Sequence, residues 1–155
     1  QYMQNKESDV LASAYAQILK EKGITKNSAF IEKVVSCVKE RATFVSDFWS
    51  LSSFFFEAPT TYDAKASKKN WKEETAALME ELILKISSIT VFSSENTEKE
   101  IKEWILTKDI GFGKVMQPLR LSLVGALKGP HLFDIIEMIG KEETVQRLKN
   151  AIKNL

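Results

Sequence analysis

Apolar residues recur at three- and four-residue spacing along almost the whole chain, a period that suits an all-helical fold and little else. Val10, Leu11, Ala14, Tyr15, Ile18 and Leu19 share one face of a first helix that Ser8 can cap and Gly23 stops. A second run, from about Ser28, turns Phe30, Ile31, Val34, Val35 and Val38 inward and Lys33, Lys39 and Glu40 outward. Thr43 suits the cap of a third helix holding Phe44, Val45, Phe48, Trp49 and Leu51, and Pro59 ends the regular structure after it. Phe54, Phe55 and Phe56 read as core at a helix end, with a ring platform for bases as the sharper alternative.

Past Trp71 the period resumes. Asn70 and Glu73 have the spacing of a capping pair for a long helix with Leu78, Leu82, Ile83, Ile86 and Ile89 inside. "SSENTEKEIKEWI" then reads as a polar loop, after which Thr97 and Glu100 have capping-box spacing ahead of inward Ile101, Trp104 and Ile105. Lys99, Glu100 and Glu103 are expected in water. Pro118 suits a first helical turn and Gly125 a left-handed cap. Pro130 repeats the device for a helix with Leu132, Phe133, Ile136 and Ile139, stopped by Gly140, and a last helix over 141–153 buries Val145, Leu148 and Ile152. The expected architecture is all-α, a multi-helical cage of two lobes over 5–68 and 69–155.

Charge and reactive residues exclude several classes of function. Lys and Arg number 22 against 21 acids, so any basic surface must be local. From Lys114 onward seven bases face four acids, counting Arg147 among the bases. Cys37 is the one cysteine and His131 the one histidine, which rules out an intrachain disulfide and a Cys/His zinc set. Glu73/Glu74 and Glu142/Glu143 are sequence neighbours that point about 100° apart on a helix and read as solvated. No phosphate loop or nucleophile motif occurs, so no catalytic residue and no metal ligand is expected. The chain has no long apolar run and no leader pattern, which leaves the cytosol as the expected compartment and no membrane partner. "QYMQNKESD" opens abruptly, as a piece of something longer would.

Residues 112–133 hold two of the three prolines and the only histidine. Prolines at two helix starts would aim free N–H groups toward one side, suited to phosphate or a base edge. Gln117 and Arg120, three apart, share a helical face, and both side chains can make paired hydrogen bonds to bases. Lys114 and Lys128 flank them. Leu132 and Phe133, after Gly129 and Pro130, offer apolar surface for an unstacked base. The alternative is a plain helical array: prolines as punctuation, Leu132 and Phe133 as core, Arg120 as a surface charge.

"GKVMQPLRLSLVGALKGPHLFDIIEMIGKEETVQRLKNAI" resembles the carboxy-terminal stretch of bacterial glutamyl-tRNA synthetases, with Pro118, Leu119, Arg120, Leu123, Gly125, Gly129, Pro130, Leu132, Gly140, Lys141, Glu142, Arg147 and Leu148 in register. "VVSCVKERATFVSDFWSLSSFFFE" is similar to a helix of the same family with an aromatic-rich end. Val124 departs from the family's usual Thr, which removes a hydroxyl.

The resemblance implies the anticodon-binding region of a class I aminoacyl-tRNA synthetase, whose parent joins glutamate to tRNA(Glu) with ATP and Mg²⁺. The first lobe would lie on the stem-contacting side and the second would bind the anticodon. The catalytic domain, with its HIGH-type and KMSKS-type signatures, would precede this chain, since neither string occurs in it. This part would hold no cofactor and act as a monomer. Residues matching the family's RNA contacts are Gln117, Arg120, Gly129, Pro130, Leu132 and Phe133, with Gln117 and Arg120 at base edges and Pro130, Leu132 and Phe133 against splayed bases. Arg41 would face the third anticodon base, accepting the C of glutamate anticodons and rejecting the G of glutamine ones. The competing reading is a helical protein-interaction module in which 112–133 is a groove for a partner helix, without RNA.

Overall fold

Helical periodicity is realised along the chain. A computed structural model describes residues 8–155, with side chains from Val10 onward. Among the described residues there are nine α-helices and no β-strand. The chain divides into two units, Gln1–Glu57 and Ala58–Leu155.

The first unit holds α1 (Ser8–Glu21), α2 (Ser28–Val38) and the short α3 (Phe48–Ser52). α1 buries Leu11, Ala12, Tyr15 and Leu19, whereas Val10 and Ala14, expected inside, are exposed. Gly23 closes the helix with φ +78°. The Ser8 side chain, expected as its cap, lies outside the described residues. Asn27 caps α2, its Oδ1 accepting from the Phe30 N–H at 2.8 Å.

Asp47, and not Thr43, organises the entry to α3. Its Oδ2 accepts from the Phe44 and Thr43 N–H groups at 2.9 Å each, and those bonds hold the carboxyl below its ordinary range. Phe54 and Phe55 are buried, and Phe56 sits edge-on to Tyr15 and Phe30 and stacks on Trp49, so the three rings are core and no platform. Tyr15, fully buried, places its hydroxyl 2.8 Å from Ser52 Oγ, and burial pushes its pKa up to about 12.

The second unit contains α4 (Ala64–Asn70), α5 (Thr75–Ser88), α6 (Ser94–Lys108), α7 (Gly113–Val124), α8 (Leu132–Ile139) and α9 (Lys141–Asn154). Its core joins Met79, Leu82 and Ile86 of α5 to Ile101 and Ile105 of α6, Val115, Leu119 and Leu123 of α7, Ile136 of α8 and Leu148 of α9. α4 packs on α7 and belongs wholly to this unit, so the expected division between 68 and 69 would cut a helix; the units part at Glu57 and Ala58 instead.

Two expected caps shift. Asn70 ends α4, with its Nδ2 donating to the Ala66 carbonyl at 3.0 Å, and α5 starts at Thr75, whose Oγ1 accepts from the Lys72 N–H at 2.8 Å. Ser93 caps α6, accepting from the Asn96 N–H at 3.1 Å, which places Thr97 inside the helix. Thr97 Oγ1 is buried without a hydrogen-bond partner among the described residues. Glu100, expected in water, pairs with Lys85 at 3.1 Å and accepts from Asn96, contacts that lower its pKa.

Arg147 is the least expected core residue. Only 2% exposed, it donates through Nε to Glu143 at 2.7 Å and through Nη1 to the Leu123 carbonyl at 2.8 Å. It thereby ties α9 to the last turn of α7 and adds nothing to the surface charge. Glu143, expected to be solvated, is its partner.

Candidate functional site

Pro118 is the sixth residue of α7, not a first-turn residue. The helix starts at Gly113, where the Lys114 and Val115 N–H groups bond to the Gly111 and Phe112 carbonyls. The carbonyl that a residue-118 N–H would have met is that of Lys114, an exposed residue of the first turn, so the lost bond costs less than in a buried helix interior. Gln117 and Arg120 therefore stand in mid-helix, and the amino end of α7 lies a turn earlier than expected.

Gly125 ends α7 with φ +88°, as its left-handed cap role requires. Its carbonyl accepts from the Asp63 N–H at 2.7 Å, which pins the 58–63 segment to this end of the helix. A Cβ at 125 would meet the Thr61 carbonyl oxygen at 2.8 Å and Pro59 Cβ at 2.9 Å.

The turn joining α7 to α8 is held from one side by Arg120. Its Nη1 donates to the Lys128 carbonyl at 3.0 Å and to the Pro130 carbonyl at 2.9 Å. Gly129, at φ +109°, lets the backbone present both carbonyls to one guanidinium. On the other side His131 Nε2 lies 3.2 Å from Glu98 Oε1, and Ser94 Oγ donates to Asp134 at 2.8 Å, both linking α6 to the start of α8. Glu98 also pairs with Lys102 at 2.6 Å, and that bond is the main cause of its lowered pKa.

The structure brings Arg120 together with Gly129 and Pro130 at this turn, while Gln117 stands elsewhere on α7, at a cleft with Lys69 and Lys114. Gln117 is exposed; Arg120 is half-buried, its guanidinium on the turn. Leu132 and Phe133 are 3% and 1% exposed and form part of the unit's core. Surface for an unstacked base, the expectation placed on them, is not what their side chains present here: they support the turn from beneath. Arg41 is exposed in the other unit, at the end of the 3₁₀ turn Lys39–Arg41.

Along α7 lie two clefts that were not anticipated. One, of about 380 Å³, is lined by Lys69, Lys72, Lys114 and Gln117 with Asn70 and Leu78. The other, of about 370 Å³, is lined by Lys65, Lys69, Lys128 and Leu127. Lys65 and Lys69 share a face because they are four apart on α4, a spacing visible in "AKASKKN" once that stretch is read as a helix. With only Ala66 buried, α4 has no apolar period by which to recognise it.

An all-helical unit with an arginine-held turn beside lysine-lined clefts is of the class I aminoacyl-tRNA synthetase anticodon-binding type, and the solved relatives agree. The chain belongs to the Anticodon binding domain family, whose model matches residues 9–152. It is 57% identical over all 155 residues to a glutamate–tRNA ligase of Flavobacterium johnsoniae and 44% identical to one of Porphyromonas gingivalis, spanning 31% of the length of each. A crystal structure of a glutamate tRNA ligase from Elizabethkingia meningosepticum in complex with its amino acid superposes with a TM-score of 0.95 at 45% identity, over 100% of this chain and 31% of that one. The chain thus spans about a third of the relatives it matches.

Proposed function

We propose that this chain binds the anticodon loop of tRNA(Glu) as the anticodon-binding part of a glutamyl-tRNA synthetase. The single observation that carries the reading is the family match over residues 9–152, and relatives that bear the glutamate–tRNA ligase name point to the glutamate system. The same match favours anticodon binding over a protein-interaction groove. The parent would ligate glutamate to tRNA with ATP and Mg²⁺ held in a catalytic domain amino-terminal to this one, working as a monomer in the cytoplasm.

The second unit, with Gln117 and Arg120 on α7 and the backbone of Gly129 and Pro130, supplies the anticodon-reading edge. Gln117 is the side chain best placed to meet a base edge, because it is exposed at a cleft. Arg120 fixes the turn in the shape that the loop meets. Leu132 and Phe133 set the height of the turn from within the core. Arg41 reads the third anticodon base from the first unit, which faces the stem. Fluorescence anisotropy of labelled anticodon stem-loops tests the reading. The cognate loop is expected to bind the 155-residue chain more tightly than a stem-loop with a scrambled anticodon, and equal binding of the two overturns it.

A further inference from the structure

Some lysines of the second unit are ion-paired and others are not. Three lysines of α5 and α6 are neutralised, Lys85 by Glu100 at 3.1 Å, Lys102 by Glu98 at 2.6 Å and Lys108 by Glu81, whereas Lys99 of α6, like Lys68, Lys141, Lys149 and Lys153, has no ion-pair partner among the described residues. Lys65, Lys69, Lys114 and Lys128 have no ion-pair partner among the described residues, although all four line the two clefts beside α7. Lys72 joins them with its Nζ donating only to the Lys68 carbonyl, at 3.1 Å. Against these five lysines the cleft walls set two acids, Asp63 and Glu74. A chain whose total charge is +1 thus lines two adjoining clefts with five lysines that stand outside any ion pair. Concave walls focus the field, and bringing like charges together without counter-charges is unfavourable unless an anion completes the site.

We propose that this surface is a track for the sugar-phosphate backbone of the RNA, running from Lys72 and Lys114 across Lys69 and Asn70 to Lys65 and Lys128. The inference rests on the anticodon-binding reading and names the part of the RNA that this surface holds. Lys69 and Asn70 line both clefts, so the track is continuous. It ends at Lys128, whose carbonyl Arg120 holds, one residue from Gly129. A strand laid along it is delivered to the turn at one end and to Gln117 at the other. Phosphate contacts of this kind set register and affinity and carry no base identity.

The test is the double variant Lys69→Glu/Lys114→Glu, with Lys102→Glu/Lys108→Glu as the control of equal charge change. Each 155-residue chain is titrated with the cognate and the scrambled stem-loop between 50 and 300 mM salt, after circular dichroism has verified the fold. The track predicts that the first variant weakens both RNAs by the same factor, about tenfold or more, and flattens the salt slope by about 1 for each lysine, while the control binds as the parent does. Unchanged affinity and slope in the first variant overturn the track, and the anticodon reading then stands if the parent still prefers the cognate loop. Should the parent ignore the anticodon while the lysine variant weakens both RNAs, the anticodon reading falls and the track stands. A poly-glutamate peptide that binds the parent as tightly as the stem-loop overturns the assignment to RNA.

Discussion

Arg120 and Pro130 are joined by a 2.9 Å hydrogen bond from the guanidinium to the carbonyl, and the same nitrogen reaches Lys128 at 3.0 Å. A charged donor that serves two carbonyls of one turn stabilises that turn by roughly 1.5 to 3 kcal/mol per bond at most. Arg120→Ala is expected to lower affinity for the cognate stem-loop by about 1 to 3 kcal/mol and to speed amide exchange across 128–131. Arg120→Lys, with one compact charge in place of a fork, should recover part of the affinity. If neither variant changes exchange or binding, the clamp has no functional weight.

Gly125→Ala combines a φ of +88° with a backbone oxygen 2.8 Å from the new methyl. Strain in the left-handed region alone costs about 1 to 2 kcal/mol, and the clash with Thr61 forces the 58–63 segment to shift as well. Urea unfolding in a Trp49→Phe background, where fluorescence reports Trp71 and Trp104 of the same unit, should show a loss of at least that size. A midpoint equal to the parent's would mean that the segment moves freely.

Thr97 is the opposite case. Its Oγ1 is buried with no partner among the described residues, so the hydroxyl contributes a desolvation cost and no bond. Thr97→Val keeps the side-chain shape and should raise stability by about 1 kcal/mol. The same urea titration checks it, and a destabilised variant would reveal a hidden partner for the hydroxyl.

Alkaline pH should loosen the first unit. The Tyr15 hydroxyl, pushed up to about 12 from the ordinary 10.0 by burial, keeps its proton in the folded chain when the unfolded chain has lost it. The folded state then binds more protons, so stability falls as pH rises. The contribution is fully present below pH 10 and disappears as pH passes through about 12. Tyr15→Phe should flatten the decline between those values in a thermal-melt series, and an identical pH profile would assign the loss to other groups.

The helical period was readable because burial imposes it: Leu82 and Ile86, or Ile101 and Ile105, announce a face by spacing alone. Caps were less readable, since several polar residues compete for each helix start and only backbone geometry selects one. Ser93 took α6 in place of Thr97, and Asp47 took the turn before α3 in place of Thr43. Pro118 was misplaced for a related reason, because a proline in the second turn of a helix and one in the first look alike in sequence. Family wording led to Gln117, Arg120, Gly129 and Pro130, of which Arg120 holds the turn that carries Gly129 and Pro130 while Gln117 lies at a cleft, but it could not tell a surface ring from a core one, and Phe133 is core. The lysine clefts went unseen because α4 buries only Ala66. Arg147 reads as surface charge in the sequence because its bond to the Leu123 carbonyl, 24 residues away, is tertiary, although Glu143 stands at i−4 on the same helix.

Arg147 and the Asp63 amide close the carboxyl end of α7 from two sides. The helix that carries Gln117 and Arg120 is thus braced before any partner arrives, and little chain entropy remains to be lost when one docks. Accommodation would fall to the nucleic acid, whose loop must open to match a rigid edge. Discrimination between tRNAs would then include how easily each loop unstacks, not only which hydrogen bonds it can make.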